Sequence, residues 1–205
     1  HTTPICEAGY VEISAADGSS KKIRLNRIHM EEDAGKSIHD ADEHYTLVDY
    51  NRAGTALIEI VTEPDIRSGD EAYAYLTVVR RLVRYLGICD GNMEEGSMRC
   101  DANISVRLKG ATKLGTRVEI KNLNSIRNVK RAIEVEAARL IGLLENGEVI
   151  RQQTRSFDAN NGTTFFFFVK EDADDYRYFA DPDLTPFHLE DAFIESIRAA
   201  IPVLQ

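Results

Sequence analysis

Carboxylates at alternating positions are the first chemistry visible in this chain. Arg27-Ile28-His29-Met30-Glu31-Glu32-Asp33-Ala34-Gly35 and Ala56-Leu57-Ile58-Glu59-Ile60-Val61-Thr62-Glu63 both alternate as strands do, so side chains two apart share a face. Leu57, Glu59 and Val61 fall together, as do Ile28, Met30 and Glu32. Glu32 and Glu59 therefore stand on faces that otherwise read as core. A buried carboxylate requires a cation, a donor or a proton. Glu31, Asp33, Glu63, Glu94, Glu95, Asp101 and Glu119 add further oxygen donors around strand ends. Such a set suits a hard cation, above all magnesium holding a polyphosphate. A buried ion pair with Arg27 or Arg52 is the structural alternative for Glu32 and Glu59. His29 reads as a hydrogen-bonded structural residue or as one more ligand.

A second polar face begins at Arg99. Arg99, Asp101, Asn103, Ser105 and Arg107 alternate with Cys100, Ala102, Ile104, Val106 and Leu108. Arg117, Glu119 and Lys121 then alternate with Val118 and Ile120, and Asn122 follows. A half-solvated antiparallel pair explains this pattern. The mixture of Arg, Asp, Asn, Glu and Lys equally matches the range of groups that line a polar ligand, and both readings remain open.

Several elements must position these residues. Gly9–Ser14 and Lys22–His29 flank an Asp17-Gly18 turn and read as a hairpin. Residues 33–43 read as a loop, and 45–50 and 56–63 as two more strands. Ser68 followed by Glu71 forms a capping-box signature, with Ala72, Tyr75, Leu76, Val79, Leu82, Val83 and Leu86 at helical spacing and Gly87 as the stop. Arg80, Arg81 and Arg84 on this helix fit a solvated face better than a nucleic-acid contact. A second helix runs from the Ser125 cap to Glu145, its stripe formed by Ile126, Val129, Ile133, Ala137, Leu140, Ile141 and Leu144. Residues 148–157 read as a strand. Phe165–Phe168 would load both faces of a strand and make an aggregation-prone window. Residues 174–186 form a Pro-punctuated extended segment, and a last helix spans Asp191 to Ala200. Strands come mostly as neighbours, so the fold expected is α+β, a largely antiparallel sheet with helices on one face.

The 205 residues suffice for one sizeable domain. A formal charge of -9 argues against broad nucleic-acid binding by a basic surface. Cys6, Cys89 and Cys100 lack metal or disulfide spacing and point to a reducing cytoplasm. No P-loop, dinucleotide fingerprint, nucleophile elbow or His-Glu-x-x-His helix occurs. The chain opens on His1 without an initiator Met, which suggests a piece of a longer protein.

Longer motifs carry more. Arg27-Ile-His-Met-Glu-Glu-Asp-Ala-Gly-Lys36, Asn51-Arg-Ala-Gly54 with Leu57-Ile-Glu-Ile60, Glu63-Pro-Asp-Ile-Arg-Ser68, Met93-Glu-Glu-Gly-Ser97, Arg99-Cys-Asp-Ala-Asn103, Glu119-Ile-Lys-Asn-Leu-Asn-Ser125 and Asp175-Tyr-Arg-Tyr-Phe179 occur in this order. Together they closely resemble the GatB family, the B subunits of glutamyl-/aspartyl-tRNA amidotransferases, across essentially the whole chain. The resemblance implies the later part of a single catalytic (cradle) domain over residues 1–205, similar to the glutamine synthetase/guanido kinase fold. It implies ATP and Mg2+ as cofactors and phosphorylation of the side-chain carboxylate of Glu or Asp mischarged on tRNA. Ammonia from a glutaminase A subunit then forms the amide, within a complex that also holds a small C subunit. A non-catalytic subunit- or tRNA-docking scaffold is the competing role. Glu32 and Glu59 match carboxylates of the family's magnesium site. Glu94, Arg99, Asp101, Asn103, Glu119, Lys121 and Asn122 sit in family motifs as candidate nucleotide or substrate contacts. Phe167-Phe168-Val169-Lys170-Glu171 departs from the family's Met-Arg before Lys-Glu, which removes a basic residue suited to phosphate.

Overall fold

A computed structural model describes residues 3–14, 17–38, 44–168 and 187–203. Its strands are β1 Cys6–Glu7, β2 Tyr10–Ser14, β3 Ser20–Glu32, β4 Lys36–Ile38, β5 Leu47–Asp49, β6 Ala56–Thr62, β7 Ala102–Ile104, β8 Val118–Lys121, β9 Gln153–Asp158 and β10 Thr163–Phe168. The helices are α1 Gly69–Tyr85, α2 Ile126–Glu145 and α3 Asp191–Ala200. The mixture of helices with mainly antiparallel strands is the α+β class expected. The Pro-punctuated segment 174–186 lies outside the described residues.

β3 is the longest strand and the axis of the first sheet. β1 and β2 pair along it in one register, Cys6 opposite Ile28 and Tyr10 opposite Arg24, while β6 pairs with its later half. The β3–β6 register slips between Leu25 and Arg27, a bulge at Asn26. The second sheet has the order β10-β9-β8-β7. Its β8–β9 pair is parallel. A parallel pair needs a crossover, and α2 supplies it. Segment 33–43 is not all loop, because β4 pairs there with β5 in a separate ribbon. Three residues of Lys-Ser-Ile are too short for alternation to mark them.

The helix ends follow their caps. Ser68 Oγ accepts the Glu71 amide at 3.1 Å, and Ser125 Oγ accepts the Asn128 amide at 3.1 Å. The Glu71 carboxylate accepts the Arg67 amide at 2.6 Å and Lys21 Nζ at 2.7 Å, so it ties α1 to β3 as well as to its own first turn. α1 packs on β2, α2 on β7 and β10, and the two helices on each other. Their contact is close at Gly69, where an added Cβ would meet the Lys130 carbonyl at 2.9 Å. One apolar core joins Ile13 and Ile23 of the first sheet, Tyr75, Leu76 and Val79 of α1, Val129 and Leu140 of α2, and Val118, Ile120 and Phe157 of the second sheet. No helix among the described residues is long and apolar enough to cross a membrane.

α2 turns a different stripe inward from the one its apolar spacing suggests. Ile141 and Leu144 are exposed, whereas Glu136 is fully buried. Its carboxylate accepts from both Nε and Nη2 of Arg139 and from Thr164 Oγ1 at 2.6 Å, with Arg155 Nε 3.4 Å away. Those donors are what make its burial tolerable. Phe165–Phe168 run along an outer strand with all four rings between 40 and 57 % exposed, and the pairing with β9 is irregular between Phe166 and Phe168. They are not a buried strand.

Removing the Glu136 carboxylate strands two half-buried guanidinium groups. Glu136→Ala should lower unfolding free energy by roughly 3–5 kcal/mol, and Glu136→Gln, which still accepts from Thr164, by less. Urea denaturation measures both. An unchanged midpoint for Glu136→Ala would show that the network contributes nothing.

Candidate functional site

Strand parity decides which carboxylates can meet. Glu59 lies directly opposite His29, and Glu32 opposite Ala56. His29 and Glu32 are three residues apart on β3, so they project to opposite faces. The inward face of β3 continues from Ile23 to His29, which is only 4 % exposed, and to half-buried Glu31. The other face carries Met30, 60 % exposed, beside Ile58, 45 % exposed, and Glu32. The face of Ile28, Met30 and Glu32 is therefore not core, because His29 rather than Met30 is the residue turned inward. The register separates Glu32 from Glu59 and gives Glu59 a different companion.

That companion is Glu31. Glu31 and Glu59 are diagonal neighbours on one face of β3 and β6, within reach of a hydrogen bond between their carboxyls. Burial first, then this hydrogen bond and the charge of Glu59, push the Glu31 carboxyl above its ordinary range, with His29 opposing. Among the described residues, no group of three or more His, Cys, Asp or Glu is placed to hold a metal ion. Two carboxyls on one face nevertheless fit magnesium, which binds through one or two carboxylates and completes its shell with water and substrate phosphate. They do not make a closed protein cage.

Asp33 gathers the neighbouring motifs. Its carboxylate is 11 % exposed and accepts from Arg52 Nε at 2.8 Å and from Arg99 Nη2. Hydrogen bonding to Arg99 is the main reason its pKa is held below the ordinary carboxylate value. Burial opposes that effect, and the Arg99 charge and Arg52 add to it. Arg52 also donates from Nη2 to the Gly96 carbonyl at 2.8 Å and from Nη1 to the Glu95 carbonyl at 3.4 Å. A Cβ at Gly96, where φ is +78°, would lie 2.5 Å from Arg52 Nη1, so glycine is needed here for backbone and space alike. Glu94 is exposed on this turn, its amide donating to Asn92 Oδ1 at 3.0 Å.

The second sheet assembles another part of the expected set. Asn103 lies opposite Glu119. Lys121 Nζ is 2.7 Å from Asp101 and 3.6 Å from Glu119, and Glu119 accepts from Thr154 Oγ1 at 3.0 Å. Burial works to lower the Lys121 pKa but is outweighed by the Asp101 hydrogen bond and by both acidic charges, so the ammonium is held above its ordinary range. Asn122 has a structural role: at φ 64° it ends β8, and its carboxamide donates to the Phe157 carbonyl at 3.1 Å. Sequence reasoning gave Asp33 and Thr154 no such roles. Asp33 carried a signal in its position between two arginine-bearing motifs, whereas Thr154 carried none.

Fold and site together define an α+β domain whose sheets present carboxylates and their cationic partners on polar faces. Residues 1–195 match the model of the GatB/GatE catalytic domain. Over 201 residues, 98 % of this chain, it is 57 % identical to the B subunit of the aspartyl/glutamyl-tRNA(Asn/Gln) amidotransferase of Oleidesulfovibrio alaskensis and to that of Rickettsia bellii. The corresponding Pseudomonas putida protein is 54 % identical over the same length. The chain belongs to the GatB/GatE catalytic domain family. It spans 41–42 % of the length of these relatives.

The arginine-bound aspartates predict an acid-linked loss of stability. Asp65 is held down to about 2, first by its hydrogen bonds from the Arg24 side chain, against burial, with the Arg24 amide and charge adding. Asp33 is lowered in the same sense. Such groups contribute in full above their unfolded value of 3.8 and lose that contribution as pH falls through the folded pKa, about 2 for Asp65. The urea midpoint should therefore fall over this window, with a shallower fall in Asp65→Asn and Asp33→Asn. Parallel curves for wild type and variants would contradict the assignment.

Proposed function

We propose that this domain activates the side-chain carboxylate of Glu or Asp carried on a mischarged tRNA, using ATP, before ammonia converts it to the amide. The observation that carries this reading is the Glu31–Glu59 carboxyl pair on one face of β3 and β6, in a chain of this family. The relatives' name supplies the substrate class: an amidotransferase acting on aspartyl- and glutamyl-tRNA.

A carboxylate is a poor acyl donor because its leaving group would be oxide. Its oxygen attacks the γ-phosphorus of ATP, the bond to ADP breaks, and an acyl phosphate forms. Ammonia then adds to the acyl carbon, the C–O bond to phosphate breaks, and a proton is lost to give the amide. Glu31 and Glu59 would hold magnesium, which would supply charge neutralisation at the phosphates. Asp33 orients Arg99, whose Nη1 has no protein partner among the described residues and is available to an anionic oxygen. The Asp101–Lys121–Glu119 group with Asn103 offers both donors and acceptors to the acyl end of the substrate. Ammonia comes from the A subunit, with the C subunit completing a cytoplasmic assembly, and most of the tRNA contact belongs to other parts of the whole protein.

In the full complex, Glu59→Gln should abolish ATP-dependent amidation while leaving glutamine hydrolysis by the A subunit intact. Glu31→Gln should cost more activity than Glu32→Gln, because only Glu31 shares a face with Glu59. Near-normal amide formation by Glu59→Gln would defeat the assignment and favour a docking scaffold. A magnesium titration of each variant separates lost metal affinity from lost folding.

A further inference from the structure

The β4–β5 ribbon belongs to neither main sheet. It leaves the first sheet after Glu32 and returns through a turn to Ala56, and those two residues face each other in register. Tyr50, just past β5, is 71 % exposed. Single exposed apolar side chains are ordinary on a surface, but this ring is held in place. Asp49 Oδ1 accepts the Asn51 amide at 2.9 Å and the Asn51 carboxamide at 2.6 Å. The Tyr50 carbonyl accepts the Ala53 amide at 3.0 Å. One edge of the ring rests on Gly35, where an added Cβ would lie 3.1 Å from Tyr50 Cδ1 and 3.3 Å from Cε1. Bare backbone thus makes the bed of the ring. A tyrosine seated in this way presents a large rigid surface and loses little conformational freedom when something binds to it.

The neighbours of the ring say what that surface would meet. Gly35 closely follows Asp33, and Tyr50 closely precedes Arg52. Arg52 and Arg99 both bind the Asp33 carboxylate. The ring therefore stands beside the segment of Arg99 and Asp101, which faces the acyl end of the substrate in the reading above. In an aminoacyl ester the amino acid is carried on the ribose of the terminal nucleotide, so a flat base lies one sugar away from it. A formal charge of -9 gives the domain no broad basic surface with which to hold that end. Stacking on a neutral ring needs none, and it tolerates any base because every base has a π-face. Lys36, next to Gly35, is exposed and makes no ion pair among the described residues, so it offers one cation to the adjoining phosphodiester.

We propose that Tyr50 is the stacking platform for the terminal base at the 3′ end of the aminoacyl-tRNA. The assignment rests on the reading of the substrate above and adds the residue that seats its end. Amidation kinetics of the intact complex test it. Tyr50→Ala should raise the KM for glutamyl-tRNA about five- to a hundred-fold, the loss expected for one base stack. The kcat, the KM for ATP and the melting temperature should stay as in the wild type. Tyr50→Phe, which keeps the ring, should recover most of that loss. A glutamyl-tRNA whose terminal nucleotide lacks its base should show the same raised KM with the wild-type complex, and no further rise with Tyr50→Ala. An unchanged KM for the tRNA in Tyr50→Ala, or additive losses from the two changes, would overturn the stacking assignment and leave the amidation reading standing. A raised KM for ATP alone would also overturn it, because the ring would then serve the nucleotide. Failure of the wild-type complex to amidate glutamyl-tRNA at all would overturn both.

Discussion

A single carboxylate, that of Asp33, holds together segments that lie far apart in the chain. It follows the end of β3, and its backbone pairs with the turn into β6, accepting the Gly54 amide at 2.9 Å and donating to the Thr55 carbonyl at 2.8 Å. Its side chain takes Arg52 from that turn and Arg99 from the approach to β7. Arg52 passes the connection on to Glu95 and Gly96. Charge-assisted bonds to a carboxylate shielded from water are stronger and more directional than exposed pairs. The segments bearing Glu31, Arg99 and Glu94 are therefore fixed relative to one another by side-chain chemistry, in a region where the strands are short and the backbone offers few ladder bonds.

Glu136 shows the same economy inside the core. It occupies a position that an apolar residue would fill by helical spacing, and its donors come from its own helix and from both strands of the β9–β10 pair. Dispersion and apolar burial hold α2 on its sheet but do not select one rotation of the helix over its neighbours. A carboxylate that is satisfied only when Arg155 and Thr164 face it does select one, because any other rotation leaves charge buried without a donor. The rotation observed is the one that places Ile141 and Leu144 outward.

Much of this architecture was legible in the residues, and the parts that were not share a physical cause. Ser68 and Ser125 marked the starts of the two long helices because capping is local chemistry. The polar face of Asp101, Asn103, Glu119 and Lys121 was legible because alternation is also local. Alternation assigns residues to two faces, but it does not say which face a distant helix will cover. On β3 the apolar character of Ile28 and Met30 suggested the wrong one, since an exposed Met is common and a buried His beside carboxyls is the more informative feature. The same limit hid the pairing of Glu31 with Glu59, because that depends on register with β6. Asn122 was legible as a motif residue, yet its positive φ and its bond to Phe157 depend on β9 arriving alongside β8.

The division of β3 at Asn26 gives the strand two mechanical roles. Before the bulge, Ile13 and Ile23 pack under α1, and Lys21 is tied to Glu71 of that helix. After it, the strand carries Arg27, His29 and Glu31 along one face and ends at Glu32, one residue before Asp33. The first half is anchored by apolar burial and the residue just after the strand, Asp33, by two guanidinium groups, so the intervening polar row is held at both ends without an apolar core of its own. A row that must meet charged ligands cannot be stabilised by apolar packing without losing access to them. Anchoring it from outside resolves that conflict, and it explains why Asp33, bonded by two arginines, stands next to the candidate ligands and not among them.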